Sequence, residues 1–115
     1  MRKGDDIRDR AFRFACDVVR VCDDVAERGF SARQLARQLV ASGTAVGALL
    51  EEADGAQSRP DFISKCTISL KEARESHYWL RLMRATGKLD EPRISDECNQ
   101  IVAILTTIVR KSRGE

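Results

Sequence analysis

The chain has 115 residues, 43% hydrophobic and 33% charged, which suits one compact domain spanning 1–115 and is too short for two. Twenty basic and 18 acidic residues leave a net charge of only +2, so a bulk polycation is excluded and any nucleic-acid site needs local clustering. No run approaches the roughly 20 apolar residues of a membrane span, and the charged start MRKGDDIRDR lacks the apolar stretch of a signal peptide, so a cytoplasmic protein with no membrane role is expected.

The first helix is predicted over about 5–28. Ile7, Ala11, Phe14, Val18, Val21 and Val25 are spaced 4, 3, 4, 3, 4, a stripe that buries one face, and Gly29 supplies the stop. The second is predicted over 32–54, with Ser31 as N-cap and Gln34 completing a capping box. Its stripe is Leu35, Leu39, Ser42, Val46, Leu49 and Ala53. Gly43 and Gly47 cost about 1 kcal/mol each relative to Ala, and close approach of another helix is the simplest compensation.

The third helix is predicted over 59–87. Ser58 caps it, Pro60 is tolerated in its first turn and Asp61 suits the positive dipole end. Phe62, Cys66, Ser69, Ala73, Ser76, Leu80 and Met83 form the inward row. The fourth is predicted over 96–111, after Ser95, with Ile94, Cys98, Ile101, Leu105 and Ile108 inward. Asp96 and Glu97 in its first turn, and Arg110 and Lys111 in its last, suit the macrodipole. Short connections make sequential helices antiparallel neighbours. An all-α, antiparallel up-down-up-down four-helix bundle follows.

Little catalytic chemistry is available. Cys16, Cys22, Cys66 and Cys98 include no CxxC pair, and with His77 as the one histidine, zinc spacing is absent. The thiols read as small buried groups in a reducing compartment. No Glu-x-x-His occurs, so a di-iron bundle site is not expected, and Gly43–Gly47 lacks the lysine of a phosphate loop. Neither a catalytic residue, a cofactor nor a metal is expected. Glu72, Glu75 and His77 are the sole seed for an enzyme. His77 more simply reads as a hydrogen-bonded histidine at the bundle edge, and Glu72 and Glu75 as ion-pair partners of nearby Lys and Arg.

The third helix carries more apolar surface than one core needs. Ile68, Trp79 and Leu82 fall roughly 200 to 260 degrees around from Phe62. Such a second face predicts self-association, unless the helix is central in its own subunit. Arg74, His77, Tyr78, Arg81, Arg84 and Lys88 share one broad arc. Cations interleaved with an aromatic can track a phosphate backbone, RNA or DNA, while the ordinary reading is a solvated face. A second basic group, Arg2, Lys3, Arg8, Arg10 and Arg13, shares an end of the bundle with Arg110, Lys111 and Arg113.

Several short motifs occur in order: Ser42 to Ala48 (SGTAVGA), Glu52-Ala53, Ala56 to Ser58, Asp61 to Ile63 (DFI), Lys71 to Glu75 (KEARE) and Tyr78 to Leu80 (YWL). Through them the chain resembles the 23S rRNA intervening-sequence protein family. The resemblance implies a cytosolic bundle assembled as a homopentamer. It includes accessory variability determinants of diversity-generating retroelements, which bind a reverse transcriptase and nucleic acid through a basic surface. One position departs: the family usually has Asn after the GA of the second helix, and this chain has Leu49, which fits the inward stripe.

Overall fold

The computed structural model describes residues 3–115, with side chains from Ile7 onward. Of the N-terminal basic group, Arg2 and the Lys3 side chain lie outside the described residues. Four helices follow in order: α1 (Lys3–Ala26), α2 (Phe30–Asp54), α3 (Arg59–Ala85) and α4 (Pro92–Ser112). They form an all-α bundle. A 25-residue helix is about 37 Å long, and the molecule measures 44 × 23 × 21 Å, so the helices lie along its long axis. Each helix packs on the next, α4 closes more sparsely onto α1, and among the described residues the backbones of diagonal helices stay apart.

Contacts between neighbours descend along one helix as they rise along the other. Arg8 meets Asp54 while Val18 faces Gly43. Lys65 meets Glu52 while Ser76 meets Ser42. Arg59 meets the carbonyl of Ser112 while Cys98 meets that of Ala73. This is the order of antiparallel neighbours.

The inward row of α1 is buried as the spacing predicts, and Cys22 joins it. In α2 the buried residues are Ala32, Ala36, Leu39, Ser42, Gly43, Val46, Leu50 and Ala53. Leu35 and Leu49, expected in the core, are only half-buried. The reason is that α2 has a neighbour on either side. Its buried arc is wide and swings toward α1, which takes in Leu50 and leaves Leu49 on the outer flank.

Several helix ends differ from expectation. α1 stops at Ala26, and Glu27 and Arg28 form a turn in which Arg28 N bonds the Val25 carbonyl at 2.9 Å. Gly29, at φ 128°, is the N-cap of α2, so Phe30 is already helical and the Ser31–Gln34 capping box does not form. α3 ends at Ala85 in a Schellman turn: Lys88 N bonds Met83 O at 2.8 Å and Gly87 takes φ 73°, a conformation that favours glycine. α4 begins at Pro92, four residues early, because proline's fixed φ suits the first helical position. Ser95 is therefore no cap but a buried residue inside the helix, and Asp96 and Glu97 move beyond the first turn. The Ser58 cap forms as expected, accepting Asp61 N–H at 3.1 Å.

Along α2 runs a line of small residues. A Cβ added to Gly43 would stand 2.9 Å from both γ-methyls of Val18. On the opposite flank, Ser76 Oγ meets Ser42 Oγ at 2.8 Å and the Ser69 hydroxyl donates to Val46 O at 2.8 Å. A Cβ at Gly47 would meet Ala11 at an ordinary 3.5 Å. The two glycines therefore respond oppositely to alanine. Val18 is fully buried and β-branched, so it cannot turn away, and overpacking should cost Gly43→Ala about 1–3 kcal/mol. Gly47→Ala should gain up to about 1 kcal/mol of helix propensity. Urea denaturation of the two variants measures both signs.

Candidate interaction surfaces

Four helices in a square leave four outward faces, each along the seam of two neighbours. Contacts between the helices fix which flank of each helix points where. Ser69, Ser76 and Lys65 of α3 reach α2, while Ala73 O accepts from Cys98 of α4. The flanks beyond them follow from helical spacing.

The α2/α3 face carries Ile68, Trp79 and Leu82, brought together as expected, but Trp79 is less outward than the helical count suggests. It is half-buried and packs against the core, as suits a large ring with a polar N–H at its edge. Its Nε1–H donates to Glu75 Oε2 at 3.2 Å. Leu82 is half-buried, and Ile68 is 40% exposed. Leu49 stands on the α2 side of this seam. Glu72 flanks the patch, its carboxyl held above the usual range by burial first and by the Glu75 charge second. Among the described residues Glu72 and Glu75 make no ion pair within α3, and Lys65 pairs with Glu52 of α2 at 3.1 Å.

The α1/α2 face is a second apolar patch that the sequence reading overlooked. Phe12 is 68% exposed and Val19 45%. They are seven residues apart, with Cys16 between them, in a row parallel to the buried stripe. Val40 of α2 joins them, in the row Arg33, Arg37, Val40 and Thr44. The 4, 3 spacing of Phe12, Cys16 and Val19 was the available signal, masked by the stronger inward row beside it.

The α3/α4 face carries the basic arc. Arg74, Arg81 and Arg84 are exposed, and Tyr78 is half-exposed. The Arg81 guanidinium lies over the Tyr78 ring, 5.7 Å from its centroid, and Tyr78 meets Trp79 edge-on. Lys88 drops out of the helical row because α3 ends at Ala85, and its Nζ turns back toward Thr86 O at 3.5 Å. His77 is half-buried without the hydrogen bond expected of it among the described residues. Burial first, and Arg81 second, lower its pKa below the ordinary value.

The α1/α4 face carries a paired polar clamp. Arg10 grips Glu97 through Nε at 3.1 Å and Nη2 at 2.7 Å, and Nη2 also reaches Gln100 at 2.9 Å. Away from this face, Arg8 pairs across the α1/α2 seam with Asp54 at 3.0 Å and Glu51 at 3.6 Å, and Arg13 pairs with Asp9 of its own helix. Arg8, Arg10 and Arg13 of the N-terminal basic group are thus each paired with a carboxylate. A cleft of about 550 Å³ opens at this end, walled by Ile7, Leu50, Phe62, Ile104 and Ile108.

Among the described residues no cluster of three His, Cys, Asp or Glu is arranged to hold a metal, and no helix is long and apolar enough to cross a membrane. Cys22, Cys66 and Cys98 are buried, whereas Cys16 is only half-buried, on the rim of the α1/α2 patch. Burial pushes the Cys98 thiol up to about 12 and that of Cys22 to about 11, and raises Cys66. A thiol attacks as thiolate, so these three stay inert at pH 8. Iodoacetamide on the folded chain should add one carbamidomethyl group, at Cys16, and four only after unfolding; mass spectrometry reads both counts.

Two comparisons bear on this arrangement. The model of the family described as 23S rRNA-intervening sequence protein matches residues 4–109. The crystal structure of a protein of unknown function from the S23 ribosomal protein family of Bacteroides thetaiotaomicron superposes with a TM-score of 0.86. That protein is 32% identical, over 95% of this chain and 99% of its own. No curated protein matches the chain.

Proposed function

The chain belongs to the 23S rRNA-intervening sequence protein family, and from that premise we propose that it is a non-enzymatic scaffold whose copies close into a ring and hold RNA or DNA on their basic α3/α4 faces. The observation that carries the assembly is the pair of apolar patches on adjacent sides of one rod. A two-fold dimer uses one patch twice, whereas two unlike patches favour a head-to-tail contact that repeats until it closes. Charges support the same pairing: Glu72 and Glu75 flank one patch, and Arg33 and Arg37 flank the other. Adjacent sides of a square bundle meet at roughly a right angle, which suits closure of a small ring. Five copies is the number that the family resemblance implies.

In such a ring α2 faces the axis, and the α3/α4 face stays outward on every copy. Arg74, Arg81 and Arg84 then repeat around the rim, with Tyr78 as a stacking surface, and weak phosphate contacts gain by avidity. A reverse transcriptase, the partner implied by the resemblance, suits a scaffold that holds the polymerase's nucleic acid. A second reading, a protein-interaction module with no nucleic-acid role, draws on the pairing of Arg8, Arg10 and Arg13 with carboxylates, which takes them out of phosphate binding.

Two experiments test the halves separately. Phe12→Asp/Val19→Asp disables one patch and Ile68→Asp/Leu82→Asp the other. Each variant alone should scatter light as the 12.9 kDa monomer, and their mixture should form dimers through the one intact pair of faces. Two monomers that stay monomeric when mixed would contradict the head-to-tail pairing. In low-salt filter binding, Arg74→Glu/Arg81→Glu should lose at least about tenfold in affinity for single strands with its helical dichroism unchanged. Undiminished affinity would remove the nucleic-acid half.

A further inference from the structure

His77 stands inside the basic row rather than beside it. Arg74, His77, Arg81 and Arg84 are spaced 3, 4 and 3, which lines them up along one strip of α3, about 15 Å from first to last. Three of the four are permanent cations. The fourth is the one side chain whose ordinary pKa lies near neutrality. In the free chain, burial and the Arg81 charge disfavour its protonation, so at neutral pH the row has a gap at its second position.

Burial and the Arg81 charge are what act on the ring's proton. On α3 its neighbours along the strip are Arg74, Tyr78 and Arg81. The bond from Cys98 Sγ to Ala73 O, 3.4 Å, sets the register with α4. One turn back on α4, Ser95 stands level with the turn of Ser76 and His77, and Asn99 lies on the same outer flank. Glu91, the α4 cap, stands about a turn nearer the end of α3. Asp96, three residues before Asn99, stands on the same exposed outer flank, and Glu97 lies on the other side of α4, held by Arg10 of α1. α2 packs on the opposite flank of α3, and α1 is diagonal. Ser95 is 5% exposed and its hydroxyl has no partner. A protonated imidazole has two N–H donors where the neutral ring has one, and the Ser95 oxygen, without a partner among the described residues, lies at the same level of the bundle.

We propose that the α3 strip binds a phosphodiester backbone with uptake of one proton at His77, so that the grip on nucleic acid tightens as the pH falls. This rests on the reading of the α3/α4 face as a nucleic-acid surface. A phosphate laid between Arg74 and Arg81 offsets the Arg81 charge and places an anion beside the ring, and both effects favour the imidazolium. The sign follows from linkage. The pKa is low in the free chain and higher in the complex. Between those two values binding takes up a proton, and affinity rises by up to about tenfold for each pH unit lowered. Above that window the dependence vanishes.

The test uses the full chain with 20-residue oligo(U) and oligo(dT), whose bases do not titrate between pH 5.5 and 7.5, at fixed low ionic strength. Fluorescence anisotropy should show binding about tenfold tighter at pH 5.5 than at 7.5. The strip reads phosphates, so both sugars should show it; a response confined to one oligomer would identify RNA or DNA as its source. His77→Gln should bind with no pH slope of this size, and His77→Lys should bind tightly at both pH values. Because His77 is the one histidine, its ring proton resonance reports the titration directly, and its proton affinity should rise about tenfold on adding saturating oligo(dT). A slope that survives in His77→Gln, or an unmoved histidine titration in a chain that binds, would overturn the inference. Failure of either oligomer to bind at any pH would instead remove the underlying reading, and the proton linkage with it.

Discussion

The backbone of α2 runs close to both of its neighbours, and the rest of the molecule is arranged around that approach. Gly43 leaves no room for a Cβ against Val18. Directly behind it, Ser42 meets Ser76, and one turn on Ser69 meets the Val46 carbonyl. Small side chains let helices come nearer than larger ones permit, but a buried hydroxyl costs about 1–3 kcal/mol if left unpaired. Ser42, Ser69 and Ser76 all have partners, so the close contact is obtained without that penalty. Shifting α2 by one residue would break every one of these contacts, so they fix the register of three helices together.

Register decides which side chains face outward. With α2 held between α1 and α3, the apolar excess of α1 appears on one side of it and that of α3 on the other. The cations of α3 fall on the far flank, toward α4, away from both patches. α4 is attached differently. It packs well on α3 but meets α1 through the Arg10–Glu97–Gln100 clamp, and the cleft beside Ile104 and Ile108 opens where that seam thins. A bidentate, partly buried pair of this kind is stronger than an ordinary surface ion pair, which suits a seam with few apolar contacts. The sides of the rod next to α2 thus present apolar surface, and the α3/α4 side presents cations.

Much of this was legible in the residues. Inward rows on α1 and α3 repeat at 4 and 3, and burial follows them nearly residue for residue, because each of those rows is stronger than anything else on its helix. α2 was harder. Its glycines pointed to a close approach, but not to which neighbour, and Leu49 and Leu50 fit an apolar stripe equally well until α1 pulls the buried arc toward itself. Serine before an acidic pair looks like a cap, and at Ser95 that local signal lost to Pro92, whose ring already has the helical φ. Among the surface residues, Arg74, Tyr78, Arg81 and Arg84 share a face as the spacing implied, whereas Lys88 lies past the end of the helix. Phe12 and Val19 were missed since two exposed apolar residues carry little weight until Val40 of another helix is brought beside them, a relation that only the fold supplies.

The central claim is that copies of this chain cover each other's apolar sides, with Trp79 at the edge of the contact. Sedimentation equilibrium combined with iodide quenching of that one tryptophan tests it most directly. The account expects a closed assembly several times the 12.9 kDa chain mass, in which iodide barely reaches the indole. A 12.9 kDa particle at every concentration, with its tryptophan freely quenched, would contradict it.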